Sequence, residues 1–236
     1  MTKVIFYPVY LFCLWISAKD PAVREALARD AACYGQNHLD RRHSAAEQRR
    51  FLRAASSQRT FRTIAYYRAP TPLMRRAAQL LSVFAPGAPA MEIYDTEVGG
   101  GLKIRHGNGT VIRAESLGRD CEVYQQVTVG HGRGGFPVIG DRVDLCAGAV
   151  VFGGIRVGDD VIIGAGAVVA KDVPDRAIMV GNPARQVGTT DGLRAAEIAW
   201  ATSSDREAAA PATSSDRKTA APATSYDREI TAARSL

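Results

Sequence analysis

The pattern of apolar and polar positions changes character twice along the chain. Val4 to Ser17 is an apolar run preceded only by Lys3 and interrupted by Pro8. From Pro21 to about Leu81, apolar residues recur at helical spacing among alanines and arginines, as in Val23-Arg24-Glu25-Ala26-Leu27-Ala28 and Phe61-Arg62-Thr63-Ile64-Ala65-Tyr66-Tyr67-Arg68, which predicts amphipathic helices. Ala85-Pro86-Gly87-Ala88-Pro89 breaks any helix. Beyond it a six-residue register takes over, with Val98, Ile104, Thr110, Leu117, Val123, Val129, Ile139, Leu145, Val151, Val157, Ile163 and Val169 in equivalent places. The register slips by one residue after Thr110 and by four after Val129, and a glycine often follows the aliphatic residue, as at Gly99, Gly118, Gly140 and Gly158.

Period six fits neither a helix nor a half-buried strand; it describes a coil that turns a corner every six residues. This predicts a mainly β fold, a hexapeptide-repeat parallel β-helix whose triangular coils point the aliphatic residue inward and turn on Gly or Ala. Twelve repeats at three per coil give about four coils. Near copies of eleven residues follow, at 201–211, 212–222 and 223–233, polar, alanine-rich and broken by Pro211 and Pro222. They carry too little apolar surface to pack and predict a disordered or weakly helical tail without catalytic residues. The expected organisation is a basic α-helical region over 1–90, a β-helix over 91–191 and a low-complexity tail over 192–236.

Charge sharpens that division. Residues 1–90 hold 14 Lys and Arg against 5 Asp and Glu, and residues 91–191 hold 10 against 13. Basicity at the N-terminal end favours an anionic partner, or else marks a solvated arginine-rich helical face. No interleaved aromatic and glycine motif supports nucleic-acid binding. The run 4–17 is too short to span a bilayer, which needs about twenty residues, and no A-x-A site follows it. It predicts a buried or membrane-touching helix. Cys13, Cys33, Cys121 and Cys146 lack metal-ligand or disulfide spacing, so the expected location is the cytoplasm, extending to the inner face of the membrane.

Candidate chemistry in the repeat region centres on His106, just after the inward Ile104 in Ile104-Arg105-His106-Gly107-Asn108-Gly109, with Glu92 near the first coil. A neutral imidazole can act as general base for a hydroxyl, and a carboxylate on its other nitrogen would hold the tautomer. By position alone, a surface histidine at a glycine-rich corner is an equal reading.

The stretch from Glu92 to Val187 resembles the serine acetyltransferase branch of the hexapeptide acyltransferases. The motifs that carry the resemblance are Gly99-Gly100-Gly101-Leu102-Lys103-Ile104-Arg105-His106-Gly107, Gln126-Val127-Thr128-Val129-Gly130, Ile163-Gly164-Ala165-Gly166-Ala167-Val168-Val169, Lys171-Asp172-Val173-Pro174 and Val180-Gly181-Asn182-Pro183-Ala184-Arg185. The resemblance implies a left-handed β-helix, a homotrimer and acetyl-CoA as acetyl donor. It implies His106 as the catalytic base with Glu92 as its acidic partner. It also implies Gly130, His131, Ala147 and Ala165 as backbone lining of the pantetheine groove between subunits, and Lys171 and Arg185 as contacts to the cofactor's phosphates.

Departures from the serine enzymes bear on the acceptor. Arg105 stands where an aspartate usually precedes the catalytic histidine, and Gly135-Phe136-Pro137 stands where an Arg-His-Pro is usual. The pattern is more similar to relatives that O-acetylate capsular or exopolysaccharide sugars, so the expected acceptor is a sugar hydroxyl, with Arg105 and Arg133 meeting an acidic sugar. The alternatives are serine as acceptor and an inactive β-helix scaffold. A zinc site like that of γ-class carbonic anhydrases needs three histidines, and only His106 and His131 lie in the repeats, so no metal is expected.

Overall fold

Aliphatic side chains at six-residue spacing can share one dry interior only if the chain winds around them, and the computed structural model shows that winding. It describes residues 7–34 and 55–191; the eleven-residue repeats lie outside them. Three parallel sheets form the faces of a prism. The first is ordered β1 (Met91–Tyr94), β4 (Thr110–Arg113), β7 (Thr128–Gly130), β10 (Val150–Phe152) and β13 (Val168–Val169). The second runs β2 (Glu97–Val98), β5 (Ser116–Leu117), β8 (Val138–Ile139) and β11 (Arg156–Val157). The third runs β3 (Lys103–Ile104), β6 (Glu122–Val123), β9 (Asp144–Leu145), β12 (Ile162–Ile163), β14 (Ala177–Val180) and β15 (Arg185–Thr189), whose last pair alone is antiparallel. The five strands of the first sheet make about five coils rather than four, because Met91–Tyr94 opens a coil ahead of Val98.

Most of these strands send one aliphatic residue into the interior, and buried corner residues such as Cys121, Val127, Val143 and Val161 fill in between. Ile112, Val129, Val151 and Val169 face it from the first sheet, Leu117, Ile139 and Val157 from the second, and Ile104, Val123, Leu145 and Ile163 from the third, each at most 2% exposed. Ile112, not Thr110, pairs with Val129. The single slip in the register therefore divides in two: the corner before β4 is two residues longer than expected, and the next is one shorter. The corners also turn differently from expectation. Between the second and third sheets the left-handed residue is a glycine, Gly101, only in the first coil; in the later ones it is Asp120, Arg142, Asp160 and Arg176. The adjacent Gly118 is needed for close approach instead, since a Cβ there would lie 2.3 Å from the Gly140 carbonyl oxygen.

Four helices precede the solenoid among the described residues: α1 (Tyr7–Lys19), α2 (Pro21–Tyr34), α3 (Arg59–Tyr67) and α4 (Pro72–Phe84). Asp20 separates α1 from α2 and caps α2 by accepting from the Ala22 and Val23 amides at 2.8 and 3.3 Å. Thr71 caps α4, accepting from Met74 N at 3.3 Å. Val9, Phe12, Cys13 and Ile16 of α1 are buried with Leu27, Phe61, Ala65, Met74 and Ala78 in a second core. None of the described helices is long and apolar enough to cross a membrane.

Side chains of these helices take the place of a missing coil above the first one. Tyr67 Oη donates to the Thr96 carbonyl at 2.6 Å and accepts from the Thr96 amide at 2.8 Å. Arg68 donates to the carbonyls of Val98 and Gly99 at 2.9 and 2.6 Å. Asp30 accepts from the amides of Gly101 and Leu102 at 2.8 and 2.9 Å, and Tyr34 Oη accepts from the Ile104 amide at 3.0 Å. Arg68 and Asp30 are themselves paired at 2.6 Å and nearly or wholly buried.

Candidate active site

The register locates the departure that carries His106. Six residues separate Ile104 from Val111, whereas four separate Val123 from Thr128, Leu145 from Val150 and Ile163 from Val168. The two extra residues lift the corner out of the stack, and His106 sits on it in the left-handed region with φ +67°. Such a conformation costs a non-glycine residue on the order of 1 kcal/mol or more and persists only where neighbours impose it. Here Gly107 N donates to the Arg105 carbonyl at 2.8 Å, and Gly107 packs so tightly that a Cβ would lie 3.0 Å from Thr60 and 3.1 Å from Met91 Sδ. The imidazole is left exposed.

Glu92 is engaged by another partner. Alternation along β1 buries Met91 and turns Glu92 and Tyr94 outward together, and Tyr94 Oη donates to Glu92 Oε2 at 2.5 Å. That carboxylate pushes the Tyr94 phenol pKa up. Glu92 borders a cleft of about 370 Å³ between β1, α3 and α4, with Tyr66, Tyr67 and Arg75 on its walls. Among the described residues, no hydrogen bond or ion pair joins Glu92 to His106.

The remaining site residues divide between two edges of the first sheet. Ala147 and Ala165 stack on the corner that carries His106, each opening the turn before β10 or β13. Gly130 and His131 lie at the far end of β7, across the width of the sheet. A Cβ at Gly130 would meet nothing within 4 Å. Beyond it the chain makes a tight loop, with Gly132 N donating to Gly135 O at 3.0 Å and Gly135 N to Gly132 O at 3.2 Å, and Arg133 at its exposed tip. The His131 ring meets Phe136 edge-on at 5.1 Å, and the Arg113 guanidinium lies 4.8 Å over the other partner of that contact, the Phe136 ring. Arg105 is engaged by Glu122, to which its Nε donates, and lies over the Tyr124 ring at 5.9 Å. Lys171 and Arg185 are exposed, and Arg185 donates to the Ala184 carbonyl at 2.9 Å.

The serine acetyltransferase of Helicobacter pylori is 43% identical over 117 residues, covering 47% of this chain and 68% of that protein. The chain belongs to the serine acetyltransferase-like hexapeptide-repeat family. Solved members of this family agree with the fold: the serine acetyltransferase of Vibrio cholerae superposes with a TM-score of 0.57 at 26% identity, covering 74% of this chain and 69% of that one. A soybean serine acetyltransferase complexed with serine gives a TM-score of 0.51 at 29% identity, covering 72% of each chain. No family model matches the chain.

Within this family member, the aromatic and cationic group made by His131, Phe136 and Arg113 is what sequence reasoning misses. Arg113 and Phe136 stand far apart in sequence on different coils, and only the solenoid's pairing of β4 with β7 brings them together. The one available signal is Gly130, a small residue at a strand end whose outward side is open.

Proposed function

We propose that the protein transfers the acetyl group of acetyl-CoA to the side-chain hydroxyl of L-serine, with His106 as general base. The observation that carries this reading is the lifted left-handed corner that presents the imidazole, in a chain whose relatives are named serine acetyltransferases. The relatives support serine, the acceptor that the sequence placed second, over a polysaccharide sugar.

In the reaction, the imidazole takes the proton of the serine hydroxyl as its oxygen adds to the thioester carbonyl carbon. The C–S bond then breaks, the acetyl group stays on oxygen, and the departing thiolate regains a proton from the imidazolium. Small residues suit the donor: Gly130, Ala147 and Ala165 present backbone rather than bulk, and the open space at Gly130 admits a ligand against the coil. Because His106, Ala147 and Ala165 lie on one edge of the sheet and Gly130 and His131 on the other, a complete groove calls for two copies, one edge facing the other, as in a homotrimer. Lys171 and Arg185 would meet the donor's phosphates. Glu92 would serve His106 as its acidic partner only if it exchanges Tyr94 for the imidazole.

Thiol release from acetyl-CoA, with L-serine beside neutral and acidic oligosaccharides, tests the reading. Turnover on serine that falls about 100- to 10,000-fold in His106→Ala is expected, the usual range for a general base. Turnover on a sugar alone would restore the polysaccharide reading, and no turnover with any acceptor would favour an inactive scaffold.

A further inference from the structure

Three arginines stand near the candidate site, and they differ in what already occupies them. Arg105 donates to the half-buried Glu122 carboxylate, and Arg133 is exposed at the tip of the loop. Arg113 ends β4 on the outward face. The pairing of Ile112 with Val129 puts it beside Gly130, and the pairing of Phe152 with Gly130 puts an aromatic side chain in the next row. The missing side chain at Gly130 therefore opens a notch between a cation and a ring. Phe136 supports the guanidinium from its face at 4.8 Å. Its single hydrogen bond among the described residues runs 3.4 Å from Nη2 to Asp95, whose side chain is 83% exposed. Among the described residues the other N–H groups of the fork have no acceptor.

We propose that Arg113 determines acceptor specificity by receiving the acceptor's carboxylate at this notch. A guanidinium stacked on a ring keeps its in-plane donors in a fixed fork, the geometry that binds a carboxylate through two parallel hydrogen bonds. The inference rests on the serine reading, since serine brings a carboxylate, and it supplies the partner that Gly135-Phe136-Pro137 lacks. Asp95 is a weak, solvated competitor that an incoming carboxylate displaces.

The test is steady-state kinetics with L-serine and with serinamide, whose carboxylate is replaced by a neutral amide. For Arg113→Gln the KM for serine is expected to rise about 10- to 100-fold, the usual cost of losing hydrogen bonds to a charged group. The kcat and the KM for acetyl-CoA should stay near wild type, and the preference for serine over serinamide should vanish. Arg113→Lys, which keeps a cation on the ring but not the fork, should recover part of the preference and serves as the readout if Arg113→Gln melts early. An unchanged KM and preference, or a loss confined to kcat or to acetyl-CoA, would overturn the proposal. If wild type ignores serine but prefers a uronic-acid oligosaccharide to its neutral counterpart, the serine reading fails by itself. The role of Arg113 then stands if Arg113→Gln removes that preference, and falls if the preference persists.

Discussion

Replacing Arg68 with Met removes the centre of the contact between helices and solenoid. The guanidinium makes two hydrogen bonds to Asp30, at 2.6 and 3.1 Å, and one each to the Val98 and Gly99 carbonyls. The Asp30 side chain is 0% exposed and that of Arg68 is 7% exposed, so water cannot replace what is lost. Burial pushes the Asp30 carboxyl pKa up, and Arg68 with the Gly101 and Leu102 amides opposes that shift. Methionine fills much of the volume but leaves a buried carboxylate facing two amides alone and two carbonyls without a donor. Breaking a buried pair from one side costs about 3–5 kcal/mol. For a domain of this size that is roughly 6–20 °C in melting temperature. The double variant Asp30→Asn/Arg68→Met should cost less than the two single changes summed, by about 1–3 kcal/mol, because the residues share one network. Thermal melts by circular dichroism at fixed protein concentration measure all three. An Arg68→Met protein melting within about 2 °C of wild type would mean that the buried pair contributes little, since a shift that small lies below about 1 kcal/mol.

Two glycines should separate folding from ligand space. Gly118→Ala drives a Cβ to 2.3 Å from the Gly140 carbonyl oxygen and should destabilise by about 1–3 kcal/mol in urea unfolding, whereas Gly130→Ala, with open space around the added carbon, should leave the melt unchanged and raise the KM for both acetyl-CoA and serine, which meet at this open edge. Equal melting of the two variants would contradict the close approach of the coils. The third prediction concerns acid. Partial burial works against ionisation of Asp141, but the Arg119 amide and guanidinium, with Arg142 beside them, outweigh it and hold the carboxyl below its ordinary range. A depressed pKa in the folded state gives stability that is present above the unfolded value of about 3.9 and disappears as pH falls through the folded one. Asp141→Asn should therefore be less stable than wild type at neutral pH, with the gap closing below about pH 4; a gap constant down to acid pH would count against the ion pair.

The solenoid was legible because most strands point one aliphatic residue inward at a six-residue spacing that neither a helix nor an ordinary strand shares. What the register hid lies where two readings fit the same residues. Thr110 and Ile112 are both fully buried, so a count by six lands on Thr110 while the strand pairing selects Ile112. The lifted corner is invisible in that count, although His106 within it stood out. Glu92 has the right chemistry and the right stretch of chain, but a strand's alternation gives it to Tyr94. Arg68 and Asp30 read as ordinary polar residues of helices, and only the unpaired backbone edge they meet gives them a role.

A stack of identical coils has no natural end: each open edge offers the next chain the same row of amides and carbonyls that the last coil offered this one. The two ends here are closed by different means. Tyr34, Asp30, Tyr67 and Arg68 answer the first edge with side chains, whose geometry no incoming strand can extend. At the other edge the chain reverses, and β15 lies antiparallel across β14 with a bulge between Ile178 and Met179, exposing a short strand begun by Arg185 and Gln186. Reversal, bulge and charge each discourage pairing by a further strand. Coil number is thus fixed by its terminators, not by the repeat, and a chain stripped of either cap would be free to grow end to end into fibres, a linear polymer in place of a particle of defined size.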